Sequence, residues 1–169
     1  MIPSASNILL PFHVLLVDDN EHERFFFKSA LSELSISTHF SSTDGEGLMD
    51  YLFENTTGLP HILFLDLNMP CKNGFECLDE LKANEKFQGI PVIIYSNSFD
   101  NKVADELYEN GAHYYFQKTE PAELKKALDY LLSIMMSGAF SRPQREKFVL
   151  HINDKASTSN PYERPNTIR

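Results

Sequence analysis

Three short runs of this chain are almost unbroken hydrocarbon, and each stops at a polar group. FHVLLV at 12–17 ends against Asp18, HILFL at 61–65 against Asp66, and VIIYS at 92–96 on its own Ser96. A run so short and apolar, with no polar residue every second position, reads as a strand covered on both faces. Strands of that kind belong to parallel sheets, whose neighbours must be joined by long crossovers, usually helices.

The intervening sequence supplies those helices. Asn20 is placed to cap EHERFFFKSALSEL, where Phe26, Phe27, Ala30, Leu31 and Leu34 recur at helical spacing; the run Phe25, Phe26, Phe27 is expected to fill core, except that one helical face cannot bury all three rings and Phe25 is expected partly exposed or packed on the tail. A second strand is expected at 36–40. Thr43 or Asp44 then caps a helix carrying Leu48, Met49, Leu52 and Phe53, which stops near Gly58 and Pro60. After Asp66 the loop NMPCKNG opens a helix with Phe75, Leu78 and Leu81. Another bears Val103, Ala104 and Leu107 and ends at Asn110 and Gly111. His113 to Gln117 reads as a fifth strand, and Pro121 sits in the first turn of a last helix through Leu124, Leu128, Leu131 and Leu132. Five alternations of strand and helix predict an α/β, doubly wound five-stranded parallel sheet with helices on both faces. The chain divides into an extension over 1–11, a domain over 12–136 and an extension over 137–169.

Composition narrows the function. With 42% hydrophobic and 23% charged residues the chain falls outside the disordered and membrane-spanning patterns. The opening MIPSASNILLPFH has no basic segment and breaks its apolar stretch at Pro11, so a cytoplasmic protein without a membrane segment is expected. The net charge of −9 argues against a surface made for nucleic acid, and it is uneven: residues 1–136 carry 9 Lys and Arg against 21 Asp and Glu, residues 137–169 carry 6 against 3. Cys71 and Cys77 have neither zinc nor redox spacing and read as free thiols; the histidines show no ligand spacing either.

In open parallel sheets, ligands bind beyond the carboxyl ends of the strands. Asp18, Asp19, Asp66, Ser96 and Lys118 all stand at such ends. Three carboxylates in one pocket repel unless a cation compensates, and an oxygen-only set favours a hard divalent ion such as magnesium. That pairing suits phosphoryl chemistry, in which a carboxylate acts as the nucleophile and an ammonium and a hydroxyl meet the phosphoryl oxygens.

On these residues the chain resembles the receiver domain of bacterial two-component response regulators over about 12–136. The matching segments are LLVDD, LFLDLNMPCKNG, VIIYS and YYFQK, in the family's order. The resemblance implies a flavodoxin-like strand order 2-1-3-4-5 and a stand-alone, chemotaxis-regulator-like protein. It implies Asp66 as phosphoacceptor, Mg2+ held by Asp18, Asp19, Asp66 and the backbone carbonyl of Asn68, and Ser96 and Lys118 as the groups that meet the phosphoryl oxygens. Ser96 and Tyr115 would form the switch. The implied partners are a sensor histidine kinase or histidine phosphotransfer protein as donor and a downstream protein target, with no direct nucleic acid contact; a homodimer is left open. Catalysis would be confined to the protein's own phosphorylation and dephosphorylation. Two positions depart from the family pattern: Thr119 follows Lys118 where proline is usual, and Asn97 stands where a small residue is common.

Rival readings fare less well. A haloacid-dehalogenase-like phosphohydrolase wants a second aspartate two residues after the first, which Asp18, Asp19, Asn20 and Glu21 do not supply in that pattern, and a flavodoxin-like cofactor site wants a phosphate cradle after the first strand. A pseudo-receiver acting without phosphorylation is the alternative, although such chains lose acidic residues that this one keeps. In the last 33 residues, Ser157 to Asn160 and two late prolines point to partial disorder, whereas KFVLHI, with Phe148, Leu150 and Ile152 alternating, points to docking on the domain or strand addition to a neighbour.

Overall fold

A computed structural model of the chain describes residues 10–152. Five parallel strands, β1 (Phe12–Val17), β2 (Thr38–Thr43), β3 (Ile62–Leu65), β4 (Val92–Ser96) and β5 (Tyr114–Gln117), form one sheet in the order β2-β1-β3-β4-β5. The helices between and after them are α1 (Glu21–Ser32), α2 (Leu48–Glu54), α3 (Gly74–Ala83), α4 (Asn101–Glu109) and α5 (Pro121–Met136). The doubly wound fold and its strand order are as expected from the sequence.

Strand pleating sorts the core into two layers. Leu15, Val17, Leu63, Leu65, Val92, Ile94 and Tyr115 face α2, α3 and α4. Val14, Leu16, Ile62, Phe64, Ile93, Tyr95, Tyr114 and Phe116 face α1 and α5. Every residue of β3 and β4 is buried, which is why those runs carry no polar residue before the carboxyl end.

Three expectations are corrected. The second strand lies at Thr38–Thr43, not 36–40, because β2 is a sheet edge whose half-exposed sequence THFSST carries little apolar signal. The Asp44 carboxylate accepts from the Gly47 backbone and caps a turn, so α2 begins only at Leu48. In α1 the exposure of Phe25 (66%) is as expected, but Phe26 is exposed too (53%) and only Phe27 is core, since successive helical positions diverge by about 100° and one face holds one of the three.

The chain leaves α5 through Gly138, whose φ of 74° suits a glycine at a helix C-terminus. A 3-10 turn, Arg145–Lys147, then leads to a single parallel bridge between Val149 and Tyr115. Phe148 is fully buried in the α2–α4 layer, while Leu150 and Ile152 pack on the other layer. The expected alternation fails here because Phe148 has helical dihedrals, φ −65° and ψ −40°. The expectation of disorder at Ser157 to Asn160 lies outside the described residues, as does most of the 1–11 extension.

His113, just before β5, accepts the Val92 N–H at Nδ1 (3.3 Å) and stacks on Phe140. Burial, with Lys82 and Arg142 nearby, pushes its pKa down from 6.5 to about 4. A depressed folded-state value means stability is complete above 6.5 and is lost as pH falls from there toward 4. Denaturant unfolding is expected to show the wild type losing about 2 kcal/mol more than His113→Gln over that window. Parallel pH profiles for the two proteins would contradict the assignment.

Candidate functional site

Parallel register places the polar strand ends together. Val17 pairs with Leu65, and the Asp66 N–H donates to the Val17 carbonyl (2.9 Å), so Asp18 and Asp66 are neighbours across β1 and β3. Ser96 pairs with Gln117, and the Lys118 N–H donates to the Ser96 carbonyl (2.8 Å), which sets Lys118 beside the same edge. Thr119 in the usual proline position leaves that reach intact. Asn97 is exposed, and its carbonyl accepts from Gln117 Nε2.

Asp18 and Ser96 are fully buried, Asp66 nearly so, and Asp19 is exposed at the mouth. One carboxylate oxygen each from Asp18, Asp19 and Asp66 lies within 4.8 Å of the others. Among the described residues no other group of three or more His, Cys, Asp or Glu side chains meets that test. The donors are all oxygen and carry three negative charges, a set that fits a hard divalent cation and offers nothing to a soft one.

Lys118 opposes this charge. Its Nζ lies 2.7 Å from Asp18 Oδ2, 3.6 Å from Asp66 Oδ2 and 3.9 Å from Glu23 Oε2, above the Tyr95 ring at 5.2 Å from the centroid. Asp18 Oδ1 accepts the Asn20 N–H, so both Asp18 oxygens are engaged. Arg24 donates to the Asp18 carbonyl (2.8 Å). Asp66 Oδ1 faces the Asn68 N–H, and the Asn68 amide donates to Ser96 Oγ, both at 3.3 Å. Tyr115 is fully buried beside this cluster, its hydroxyl hydrogen-bonded to the Ser98 carbonyl.

The loop after β3 explains part of its own sequence. A Cβ on Gly74 would stand 2.4 Å from the Asp66 carbonyl oxygen and 2.8 Å from Leu67 Cα, so only glycine lets α3 start this close to the site. Asn73 caps α3 in a reciprocal capping box with Glu76, and Cys71 holds φ 66°, the left-handed region. Of the site residues expected from the sequence, Asp18, Asp19, Asp66, Asn68, Ser96 and Lys118 lie together at this edge, and Tyr115 lies within β5. Glu23 and Tyr95 were missed. Glu23 had a usable signal, because a helix capped by Asn20 puts its third residue one turn above Asp19; Tyr95 reads only as core.

A five-stranded sheet in this order with an acidic cluster at its carboxyl edge defines a receiver of the two-component signalling class. The family model described as the response regulator receiver domain matches residues 14–129, and the chain belongs to that family. It is 30% identical over 112 residues to the probable methanogenesis regulatory protein FilR2 of Methanothrix harundinacea, covering 64% of this chain and 72% of that one. It spans only 38% of the length of the chemotaxis protein CheV1 of Helicobacter pylori, at 26% identity over 123 residues. A solved Mn(2+)-bound form of response regulator Rcp1 superimposes with a TM-score of 0.66 at 26% identity, over 79% of this chain and 100% of that one. The phosphorylated cyanobacterial phytochrome response regulator RcpA shares the fold with a TM-score of 0.70 at 24% identity, over 80% of this chain and 100% of that one. No helix among the described residues is long and apolar enough to cross a membrane.

Burial raises the Asp66 pKa above the ordinary carboxylate range; Lys118 opposes this, and Asp18 and Asp19 add to it. A raised value means the folded state favours protonated Asp66, so this contribution to stability is present at low pH and lost as pH rises through the folded value. Asp66→Asn is therefore expected to melt a few degrees above the wild type at pH 7 without metal, the gap closing toward pH 4. Thermal melts in chelator check this; a variant less stable at pH 7 would contradict it.

Proposed function

We propose that this receiver takes a phosphoryl group from a phosphohistidine onto Asp66. An Asp66 carboxylate oxygen attacks phosphorus as the bond to the histidine nitrogen breaks, giving an aspartyl phosphate and free histidine. The observation that carries the reading is Lys118 Nζ between Asp18 and Asp66, in a pocket with three convergent carboxylates and the Ser96 hydroxyl. Asp18, Asp19, Asp66 and the Asn68 carbonyl are the residues that would hold Mg2+. When bound, the ion supplies positive charge to the carboxylates and the phosphoryl oxygens.

Lys118 can move from Asp18 toward a phosphoryl oxygen without leaving the pocket, because both carboxylates are already within 4 Å of its ammonium. Ser96 would turn its hydroxyl from Asn68 to the same group. Tyr115, next to Ser96 and already buried, would be held inward with it, and that bias on its ring would set the surface near α4 and β5, so that a downstream protein distinguishes the two states. The chain thus works as a cytoplasmic phosphoacceptor, served by a sensor histidine kinase or a histidine phosphotransfer protein. Its catalysis extends only to its own phosphorylation and dephosphorylation.

Incubation with Mg2+ and acetyl phosphate is expected to add one alkali-labile phosphoryl group by intact mass, abolished by chelator and absent in Asp66→Asn. No adduct on the wild type would instead leave a pseudo-receiver that works without phosphorylation. Lys118→Ala is expected to keep some adduct formation but lose most of the accompanying change in tyrosine fluorescence. An undiminished change would remove Lys118 from the switch.

A further inference from the structure

Residues 139–152 cross the α4 and β5 side of the domain and end on Tyr115. Arg142 lies over the Tyr108 ring at 4.0 Å and donates from Nε to the Ala112 carbonyl, while the Tyr108 hydroxyl donates to the Pro143 carbonyl (3.0 Å). Arg145 pairs with Asp105 at 2.6 Å and reaches the Asn101 carbonyl in the first turn of α4. The Tyr115 N–H then donates to the Phe148 carbonyl (2.9 Å), and the Leu150 N–H donates to the Tyr115 carbonyl (2.8 Å). Both outward backbone groups of this edge residue are thus taken by the same segment.

Its side chain is enclosed as well. The Tyr115 ring stands between Phe99, in the loop before α4, and Phe148, with centroids 5.5 and 6.4 Å away. Tyr115 and Phe148 are both fully buried, so the tyrosine ring cannot reach solvent on that side until Phe148 leaves. The Val149 bridge, the buried Phe148 ring, the half-buried Phe140, Leu150 and Ile152 and the exposed Arg145–Asp105 pair must together offset the ordering of 14 residues, so docking is a difference between opposing terms that a small change can bias.

We propose that residues 139–152 are a strap whose docking in cis locks Tyr115 inward, so that strap closure and the state of Asp66 are thermodynamically linked. The proposal rests on Asp66 as the phosphoacceptor and Tyr115 as its switch. A phosphoryl group that favours the inward ring favours the closed strap, and by reciprocity the closed strap favours the phosphoryl-bound state. The signal-dependent surface is then the β5 edge with its α4 flank: bared when the strap is open, covered when it is closed. A partner selecting one state reads the strap.

The test is amide hydrogen exchange at Tyr115 and Leu150 in the full chain, with and without Mg2+ and beryllofluoride, a tetrahedral phosphoryl mimic. Binding is expected to slow both amides by about fivefold or more. Arg145→Glu, which sets a like charge against Asp105 and leaves the core intact, should speed both amides in the unliganded protein. It should weaken beryllofluoride by no more than the factor it removes from the protection; Phe148→Ala should do so more strongly. Unchanged or faster exchange in protein whose fluorine spectrum shows the mimic bound would overturn the linkage. Protection that rises with protein concentration would assign the strap to a second copy and overturn docking in cis. If no mimic binds, the Asp66 reading fails and the linkage with it, while the unliganded Arg145→Glu comparison still decides whether the strap sits on Tyr115.

Discussion

The ion pair between Lys118 and Asp18 holds the chemistry of this domain in place. It joins the residue after β5 to the residue after β1 across the ends of β3 and β4, at 2.7 Å and almost without water. A buried pair of this kind gains little net stability, because desolvation opposes the attraction. What it fixes is position: a single ammonium among the carboxylates of Asp18, Asp66 and Glu23, with Asp19 at the mouth. The pocket therefore carries more negative charge than its own cation offsets. That excess makes it receptive to a divalent ion, and it contributes to the raised pKa of Asp66.

The same excess explains why the site lies where it does. β3 and β4 are buried along their whole length and β1 nearly so, and an unpaired charge within them would be prohibitively costly. Charge is tolerated only where the strands end and helix N-termini and loops begin. Parallel register brings those ends to one edge, and the Gly74 contact brings α3 against it.

This is also why so much was legible in the sequence. An apolar run stopped by a carboxylate reports burial and site together, so β1, β3 and β4 and the residues closing them could be read directly. β2 could not be placed as well, because an edge strand with half-exposed side chains leaves THFSST without a burial pattern. Phe26 fails for the opposite reason: its apolar character signals core, while helical geometry turns it outward. The contacts of Lys118 with Glu23 and Tyr95 depend on where α1 and β4 end in space, which no local spacing records.

Phe148 shows the limit of reading a strand from alternation. KFVLHI has the composition of a strand, yet one helical residue at Phe148 sends that ring into the α2–α4 layer, while Leu150 and Ile152 cross to the other. The segment meets β5 at Tyr115, and that residue is unlike its neighbours. Tyr114 and Phe116 turn toward α1 and α5, where Phe116 stacks on Tyr95. Tyr115 is the one buried residue of β5 that faces the α2–α4 layer, where the loop carrying Phe99 encloses it, while its backbone N–H and C=O point off the sheet edge to the strap. A displacement of its ring must therefore be felt on both sides, by the pocket through Ser96 and the Ser98 carbonyl, and by the surface through Phe148.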